Sequence, residues 1–275
     1  MKLALAQLLV EGTEPERNFE RAEKLIARAA SAACQLTLLP ETIDFAWTHP
    51  DGIRHAKPIP GEYSDHFCLL AKKYNMWICV GLTEKTSHGN YNTAVLIDNN
   101  GNLVGLHRKI NLLTVEFPYY LVGQKLEVYD TPFGKIGMNI CADNYLDALD
   151  IGHVLARMGA QLILSPSSWT VNHSVTEAED PYRDKWIKPF SVLARAHGLV
   201  IASATSVGYI VGGPYEGKKM VGCSLCVGPQ GIIAQGMFNE FAGDLAIAEF
   251  DMPQRPLKGT QIGEALRSQG FKFYN

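Results

Sequence analysis

Apolar runs and helically spaced apolar positions alternate along this chain. LALAQLLV (residues 3–10) is apolar at every position but Gln7 and predicts a strand buried on both faces. In the segment after it, Phe19, Ala22, Leu25, Ile26, Ala29, Ala30 and Ala33 recur at helical spacing. Leu36–Leu39 predicts a short buried strand that stops at Pro40-Glu41. Helical spacing over Tyr63–Tyr74 is followed by a strand at Met76–Leu82. NYNTAVLID and LVGLHRKI flank Asn99, Asn100 and Gly101, which predicts a hairpin. Lys135–Ile140 and QLILSP predict strands, and between them Leu146–Met158 predicts a helix closed by Gly159. Ile187–His197 predicts a last helix, and VIASATSV, CSLCVG and DLAIAEF complete the strands. Alternation in the first half with hairpins later implies an α/β domain of mixed sheets covered by helices.

Composition adds bounds rather than detail. The 275 residues are 47% hydrophobic and include no long Pro/Gly/Ser linker, so a single domain over 1–275 is expected. A net charge of -3 and the lack of a basic stripe argue against nucleic acid as a partner. No apolar run reaches the roughly 18 residues of a membrane span. MKLALAQLLVEG has the flavour of a signal peptide, but Gln7 interrupts its short apolar run and no small-residue cleavage site follows. A cytoplasmic protein is the expectation.

Six cysteines do not make a disulfide framework. Cys223 and Cys226 form one CxxC in what reads as a strand, where i and i+3 face opposite ways, so no metal site is expected. GGPYEGKK (212–219) approaches a phosphate-binding loop. Lys219 stands where a hydroxyl should hold magnesium, and a strand follows instead of a helix, so a glycine-rich surface loop is the better reading.

Three polar residues stand where apolar strands stop: Glu41 after LTLLP, Lys109 after NLVGLHR and Cys141 after KIGMNI. Ligand sites in α/β proteins gather at strand ends. A carboxylate can take a thiol proton, and an ammonium can favour the thiolate and stabilise negative charge on a substrate. Singly, each has an ordinary structural explanation: a core cysteine, a capping glutamate, a solvated lysine.

The ordered set LLPE (38–41), HRKINL (107–112) and GMNICADN (137–144) resembles the glutamate, lysine and cysteine motifs of the nitrilase, or carbon–nitrogen hydrolase, superfamily. GAQLILSPSSW (159–169), LARAHGLVIASA (193–204) and CSLCVGPQGIIAQ (223–235) extend the resemblance over nearly the whole chain. It implies a four-layer α-β-β-α sandwich with two mixed central sheets. It also implies Glu41 as general base, Lys109 as electrostatic stabiliser and Cys141 as nucleophile, with Glu116 as a second carboxylate near the lysine. Ala142 (through its N–H), Asn144, Ser167 and Trp169 become substrate-binding candidates. The implied activity is hydrolysis of a small linear amide or carbamoyl compound through a thioester, with no cofactor, no metal and a homodimer or higher homo-oligomer. Leu146, Leu149, Val154, Leu155 and Met158 offer an apolar face for such an assembly.

The resemblance thins after the cysteine. The Tyr-Asp pair, arginine and Pro-Glu of many amidases are missing, and so is the Trp-Glu pair of nitrilases. Alternatives are therefore action on a C≡N group, or N-acyl transfer on the same scaffold. TEAEDPYRDKW borders this region, and Arg183, Lys185 or Lys188 is a candidate to bind a substrate carboxylate, against the plainer reading of a solvated charged loop.

Overall fold

The computed structural model describes residues 1–254 and 262–270. In chain order the first strands are β1 (Lys2–Leu9), β2 (Leu36–Leu38), β3 (Trp77–Thr86), β4 (Gly89–Ile97), β5 (Leu103–Arg108), β6 (Val128–Thr131) and β7 (Gly134–Met138). They are followed by β8 (Leu162–Ser167), β9 (Thr170–Val171), β10 (Val200–Tyr209), β11 (Lys219–Val221), β12 (Leu225–Gly228), β13 (Gly231–Gln235) and β14 (Asp244–Glu249). The α-helices are α1 (Pro15–Ser31), α2 (Pro50–His55), α3 (Glu62–Tyr74), α4 (Asp150–Arg157), α5 (Asp184–His197) and α6 (Ile262–Ser268).

Hydrogen bonding arranges one group of strands as β14-β1-β2-β3-β4-β5. A second group runs β13-β12-β10-β8-β7-β6. The expected two mixed sheets are thus present, but they are not separate. The last residues of β1 pair in parallel with β10, Leu8 with Ser206 and Leu9 with Val207, which joins the two groups into one hydrogen-bonded whole.

Side-chain alternation explains why the strand sequences are apolar throughout. Leu3 and Leu5 of β1, Leu36 and Leu38 of β2, Trp77 and Cys79 of β3, and Ala94 and Leu96 of β4 turn toward the second sheet. There Cys79 Sγ lies 3.8 Å from Met138 Sδ of β7. Their neighbours Ala4, Ala6, Ile78, Val80, Val95 and Ile97 turn the other way, onto Phe19, Ala22, Leu25 and Ile26 of α1 and Phe67 and Leu70 of α3. Full burial of a side chain the size of Phe19 or Ile26 contributes about 1.5–3 kcal/mol. Leu155 of α4 and Phe190 and Leu193 of α5 join the core of the second sheet.

Some elements depart from expectation. The helix expected at Leu146–Met158 begins only at Asp150, because residues 145–149 form turns closed by bonds such as Ala148 N to the Tyr145 carbonyl at 2.8 Å. CSLCVG is not one strand: Gly222 and Cys223 both take positive φ, at 69° and 64°, and break the chain between β11 and β12. The inference that Cys223 and Cys226 oppose each other across a strand therefore loses its basis, although both are buried free thiols. Of the five apolar residues expected to share one face, Leu149 and Leu155 are core, while Leu146, Val154 and Met158 are exposed. No helix among the described residues is long and apolar enough to cross a membrane.

Candidate active site

Strand direction brings the three chain-end residues to one edge. β2 runs parallel to β1 and β3, and β5 runs antiparallel to β4, which is itself antiparallel to β3. β7 runs parallel to β8, β8 to β10, and β10 to β1. Glu41, Lys109 and Cys141 therefore all follow carboxyl ends that point the same way.

Glu41 sits in a turn that only a glycine partner permits. A Cβ added to Gly81 of β3 would lie 2.3 Å from the Glu41 Cα, so the two backbones meet in direct contact. The segment Glu41–His49 is buried throughout, which is unusual for a loop. Thr42, Ala46 and Thr48 all have positive φ, at 45°, 61° and 58°. The Asp44 carboxylate holds this loop by accepting from Thr83 N at 2.8 Å, Thr83 Oγ1 at 3.1 Å and Phe45 N at 3.1 Å.

Cys141 follows extended Ile140 and itself has φ 42°, in the sparsely populated left-handed region. Such a conformation costs on the order of 1–3 kcal/mol and persists only when neighbours enforce it. Asp143 does much of the enforcing. Its carboxylate accepts from Ile140 N at 2.9 Å and from Asn111 N at 2.7 Å, and His107 Nε2 lies 3.0 Å away. Asn111 Nδ2 donates to the Ala142 carbonyl at 2.7 Å. The cysteine turn is thereby tied to the strand end that carries Lys109.

The Lys109 ammonium donates to Glu116 Oε1 at 2.8 Å and to Glu41 Oε2 at 3.4 Å. Glu41 Oε2 also accepts from Asn92 Nδ2 at 2.6 Å, whereas Oε1 is buried with no hydrogen-bond partner. Trp47 Nε1 donates to Glu116 Oε1 at 2.7 Å, and Glu116 Oε2 accepts from Leu113 N at 2.8 Å. Glu41 and Glu116 are fully buried, Lys109 is 1% exposed and Cys141 7%. The Cys141 sulfur lies 4.0 Å from the Ser168 carbonyl oxygen.

Burial and charge set the protonation pattern. Desolvation pushes the Glu41 carboxyl above its usual range, and Glu116 adds to this. Lys109, Asn92 and the Cys141 thiol pull it back only in part. Desolvation also raises the Cys141 thiol, with Glu41 beside it, against the opposing pull of Lys109. Burial disfavours the Lys109 ammonium, but Glu116 and Glu41 outweigh that, so it stays charged well above the ordinary lysine range. Burial thus favours a neutral Cys141 thiol beside a Lys109 ammonium that stays charged.

Of the residues expected at the site, Glu41, Lys109, Glu116 and Cys141 form one buried cluster. Ala142 is the second residue of the 3-10 turn that opens at Cys141, where the first N–H groups have no intrahelical acceptor. Asn144 is placed differently. Its Nδ2 donates to Ser165 Oγ at 2.8 Å and Asn139 Oδ1 at 3.0 Å, and its Oδ1 accepts from Asn139 Nδ2 at 2.6 Å, so its amide braces the turn. The Ser167 hydroxyl accepts from Ser203 and donates to the Ser165 carbonyl, within the second sheet. Trp169 is 1% exposed and stacks on Trp186 with ring centroids 4.7 Å apart. Asn92, Trp47 and Asp143 were not anticipated. A polar residue opening the otherwise apolar strand NTAVLI was a usable signal for Asn92, and nothing local marked Trp47.

An α/β scaffold with a buried thiol, two carboxylates and an ammonium at its strand ends defines an enzyme of the nitrilase superfamily. The chain belongs to the carbon–nitrogen hydrolase family, whose profile matches residues 2–255. A nitrilase of Pyrococcus abyssi is 28% identical over 257 residues, which cover 92% of this chain and 90% of the relative. An omega-amidase of Xenopus tropicalis is 29% identical over 180 residues, and that match takes in 62% of this chain and 64% of the relative, just under two thirds of its length. The crystal structure of an amidase from Nesterenkonia sp. superposes with a TM-score of 0.78 at 20% identity, covering 98% of this chain and 96% of that one, a likeness of fold.

Proposed function

We propose that this carbon–nitrogen hydrolase cleaves the C–N bond of a small linear amide or carbamoyl compound through a thioester on Cys141. The observation that carries the reading is the Lys109 ammonium bonded at 2.8 Å and 3.4 Å to two buried carboxylates beside a buried thiol. Glu41, whose Oε1 has no other partner, takes the thiol proton as sulfur attacks the carbonyl carbon. Lys109 and the Ala142 N–H stabilise the negative oxygen that forms. Glu41 returns the proton to nitrogen, the C–N bond breaks, and ammonia or an amine departs. Water then gives a proton to Glu41 and attacks the thioester. The C–S bond breaks, sulfur recovers the proton and the acid leaves. Glu116, held by Trp47, fixes the ammonium and contributes negative charge that keeps it protonated. None of these steps calls on a metal or organic cofactor.

Support also comes from a variant of the Nesterenkonia amidase, in which the acetamide moiety of fluoroacetamide is found covalently added to the active-site cysteine. The test is ammonia release from a panel of amides, carbamoyl compounds and matched nitriles, with intact-mass detection of the acyl adduct. An adduct on Cys223 or Cys226 with Cys141 unmodified overturns it. The similarity to a nitrilase keeps nitriles in the panel, and turnover of a nitrile tenfold faster than its amide would replace the amidase reading. Product analysis with a competing amine separates hydrolysis from acyl transfer. A homo-oligomer is part of the same reading, supported by exposed Leu146, Val154 and Met158 around α4; light scattering that gives a 30.3 kDa monomer at micromolar concentration contradicts it.

A further inference from the structure

One strand of the first sheet touches both halves of the charged cluster. β4 turns Ala94 and Leu96 toward the second sheet. By strand alternation Asn92 lies on that same face, where the apolar row gives way to a buried amide. The Asn92 main-chain carbonyl accepts from Lys109 N at 2.9 Å, and its side-chain Nδ2 donates to Glu41 Oε2 at 2.6 Å. On its other flank Asn92 pairs with Thr83 of β3, whose N–H and hydroxyl hold Asp44 in the loop that carries Glu41. A single residue in the middle of a sheet thus links the carboxylate of one strand end to the backbone of the cation at another.

The donors around Glu41 are unequally shared between its two oxygens. Asn92 and Lys109 both donate to Oε2, at 2.6 Å and 3.4 Å, while Oε1 is buried with no hydrogen-bond partner among the described residues. The Cys141 thiol lies close enough to act on the same carboxyl. A carboxylate with one oxygen held by donors cannot turn over without breaking those bonds, so the other oxygen keeps its place. Lys109 alone does not supply this grip, because its shorter bond, at 2.8 Å, goes to Glu116.

Asn92 also differs in kind from the titratable groups that face Glu41. These are Lys109 from the end of β5, Glu116 from the turn after it, the Cys141 thiol after β7 and the Tyr120 hydroxyl. The amide favours the carboxylate by donating to it, yet it adds no charge and does not titrate.

We propose that Asn92 is a positioning residue that fixes Glu41 through Oε2 and leaves Oε1 to take the thiol proton. The inference rests on the hydrolase reading above, in which Glu41 is the base, and deepens it by assigning what orients that base. By bonding the charged form, Asn92 also keeps the carboxylate available at lower pH than burial alone would allow.

The experiment follows alkylation of Cys141 by iodoacetamide against pH, read by peptide mass mapping, which requires no substrate. The wild-type rate should show an acid limb that Glu41→Gln abolishes. Asn92→Leu, similar in size but without a donor, should move that limb to higher pH and lower the rate on it by about tenfold or more, the scale of one hydrogen bond to a charged group. The sign follows because loss of the donor disfavours the carboxylate, so less base is ionised at a given pH. The alkaline plateau should fall less, and kcat/KM for an amide should show the same displacement. Thr93→Val removes a buried bond on the opposite face of the same strand, Thr93 Oγ1 to Glu84 at 2.8 Å, and should leave the limb in place. Should Asn92→Leu fail to fold, Asn92→Ser, too short to reach Glu41, replaces it. A limb that stays put when the amide is lost, or that moves as far in Thr93→Val, overturns the proposal. A wild-type limb that survives Glu41→Gln overturns it together with Glu41 as base. A limb abolished by Glu41→Gln and displaced by Asn92→Leu, in a chain that turns over no amide, sustains Asn92 and sinks the hydrolase reading instead.

Discussion

Two polar segments border the thiol on opposite terms. Residues 41–49 carry Glu41, Asp44 and His49 yet are buried from end to end, every turn tied to β3 or to the Lys109 cluster. Residues 172–185 carry a higher density of charge and are largely exposed, with contacts such as Thr176 Oγ1 to Glu179 at 2.9 Å and the long Arg183–Glu177 pair. The difference shows where rigidity is needed. A base and a stabilising cation must be held to within fractions of an ångström, which water-exposed side chains do not achieve. A segment facing solvent can vary in sequence without disturbing that geometry.

Substitutions can break this contrast, and the largest effects belong to the buried side. Cys141→Ala should abolish turnover, a loss of about 10⁴-fold or more, with no acyl adduct by intact mass. Glu41→Gln keeps the shape and removes the base, for a loss of about 10²–10⁴-fold in kcat. Because burial raises the Glu41 carboxyl and the carboxylate is the working form, wild-type activity should fall on acidification above the ordinary glutamate value of 4.5. A pH–rate profile whose acid limb lies at or below that value counts against Glu41 as base.

Lys109→Met should cost both activity and fold. It leaves Glu41 and Glu116 buried without their cation, a loss of about 3–5 kcal/mol in stability by chemical denaturation. Trp47→Phe removes one donor to Glu116 and should cost less, about 1–3 kcal/mol. On the exposed side, Glu179→Gln should change stability by no more than about 0.5 kcal/mol. An equal effect from Glu179→Gln and Trp47→Phe would remove the contrast altogether.

Asp44 sharpens the comparison through pH. Burial pushes its carboxyl from the ordinary 3.8 up to about 6, against the hydrogen bonds from Thr83 and Phe45. The folded state therefore favours the protonated form. The corresponding stability is fully present below pH 3.8 and is lost as pH rises through about 6. At about 1.4 kcal/mol per tenfold step, the loss is on the order of 3 kcal/mol. Asp44→Asn should remove this component, seen as an unfolding free energy that, relative to wild type, no longer falls between pH 3.8 and about 6.

The strands and the three strand-end residues were legible because burial on both faces leaves a continuous apolar run, and a lone charge at its end stands out. Glu116 needed the motif resemblance, since nothing in LLTVEF distinguishes it from a surface carboxylate. The bonds that fix the site were not legible: Asn92 reaches Glu41 across 51 residues and Trp47 reaches Glu116 across 69. Asp143 was visible in the motif, but its work is done on backbone N–H groups at 110, 111 and 140, which have no sequence signature. The late start of α4 was not legible either, because the turns over 145–149 are closed by backbone bonds that leave no mark in the apolar spacing.

The joint at β1 has a consequence for how the chain assembles. β1 lies at the N-terminal end of the sequence, yet its backbone partners are β2, β10 and β14, the last pairing Lys2 with Glu249. During synthesis only β2 arrives early. One flank of an apolar strand stays unsealed until Glu249 has left the ribosome, and completing it closes the long loop between Lys2 and Glu249. Contacts of such high order make folding slow and leave an adhesive edge open in the meantime. The same strand that welds the finished sheets is thus the point at which a nascent chain is most exposed to self-association and most dependent on chaperone cover.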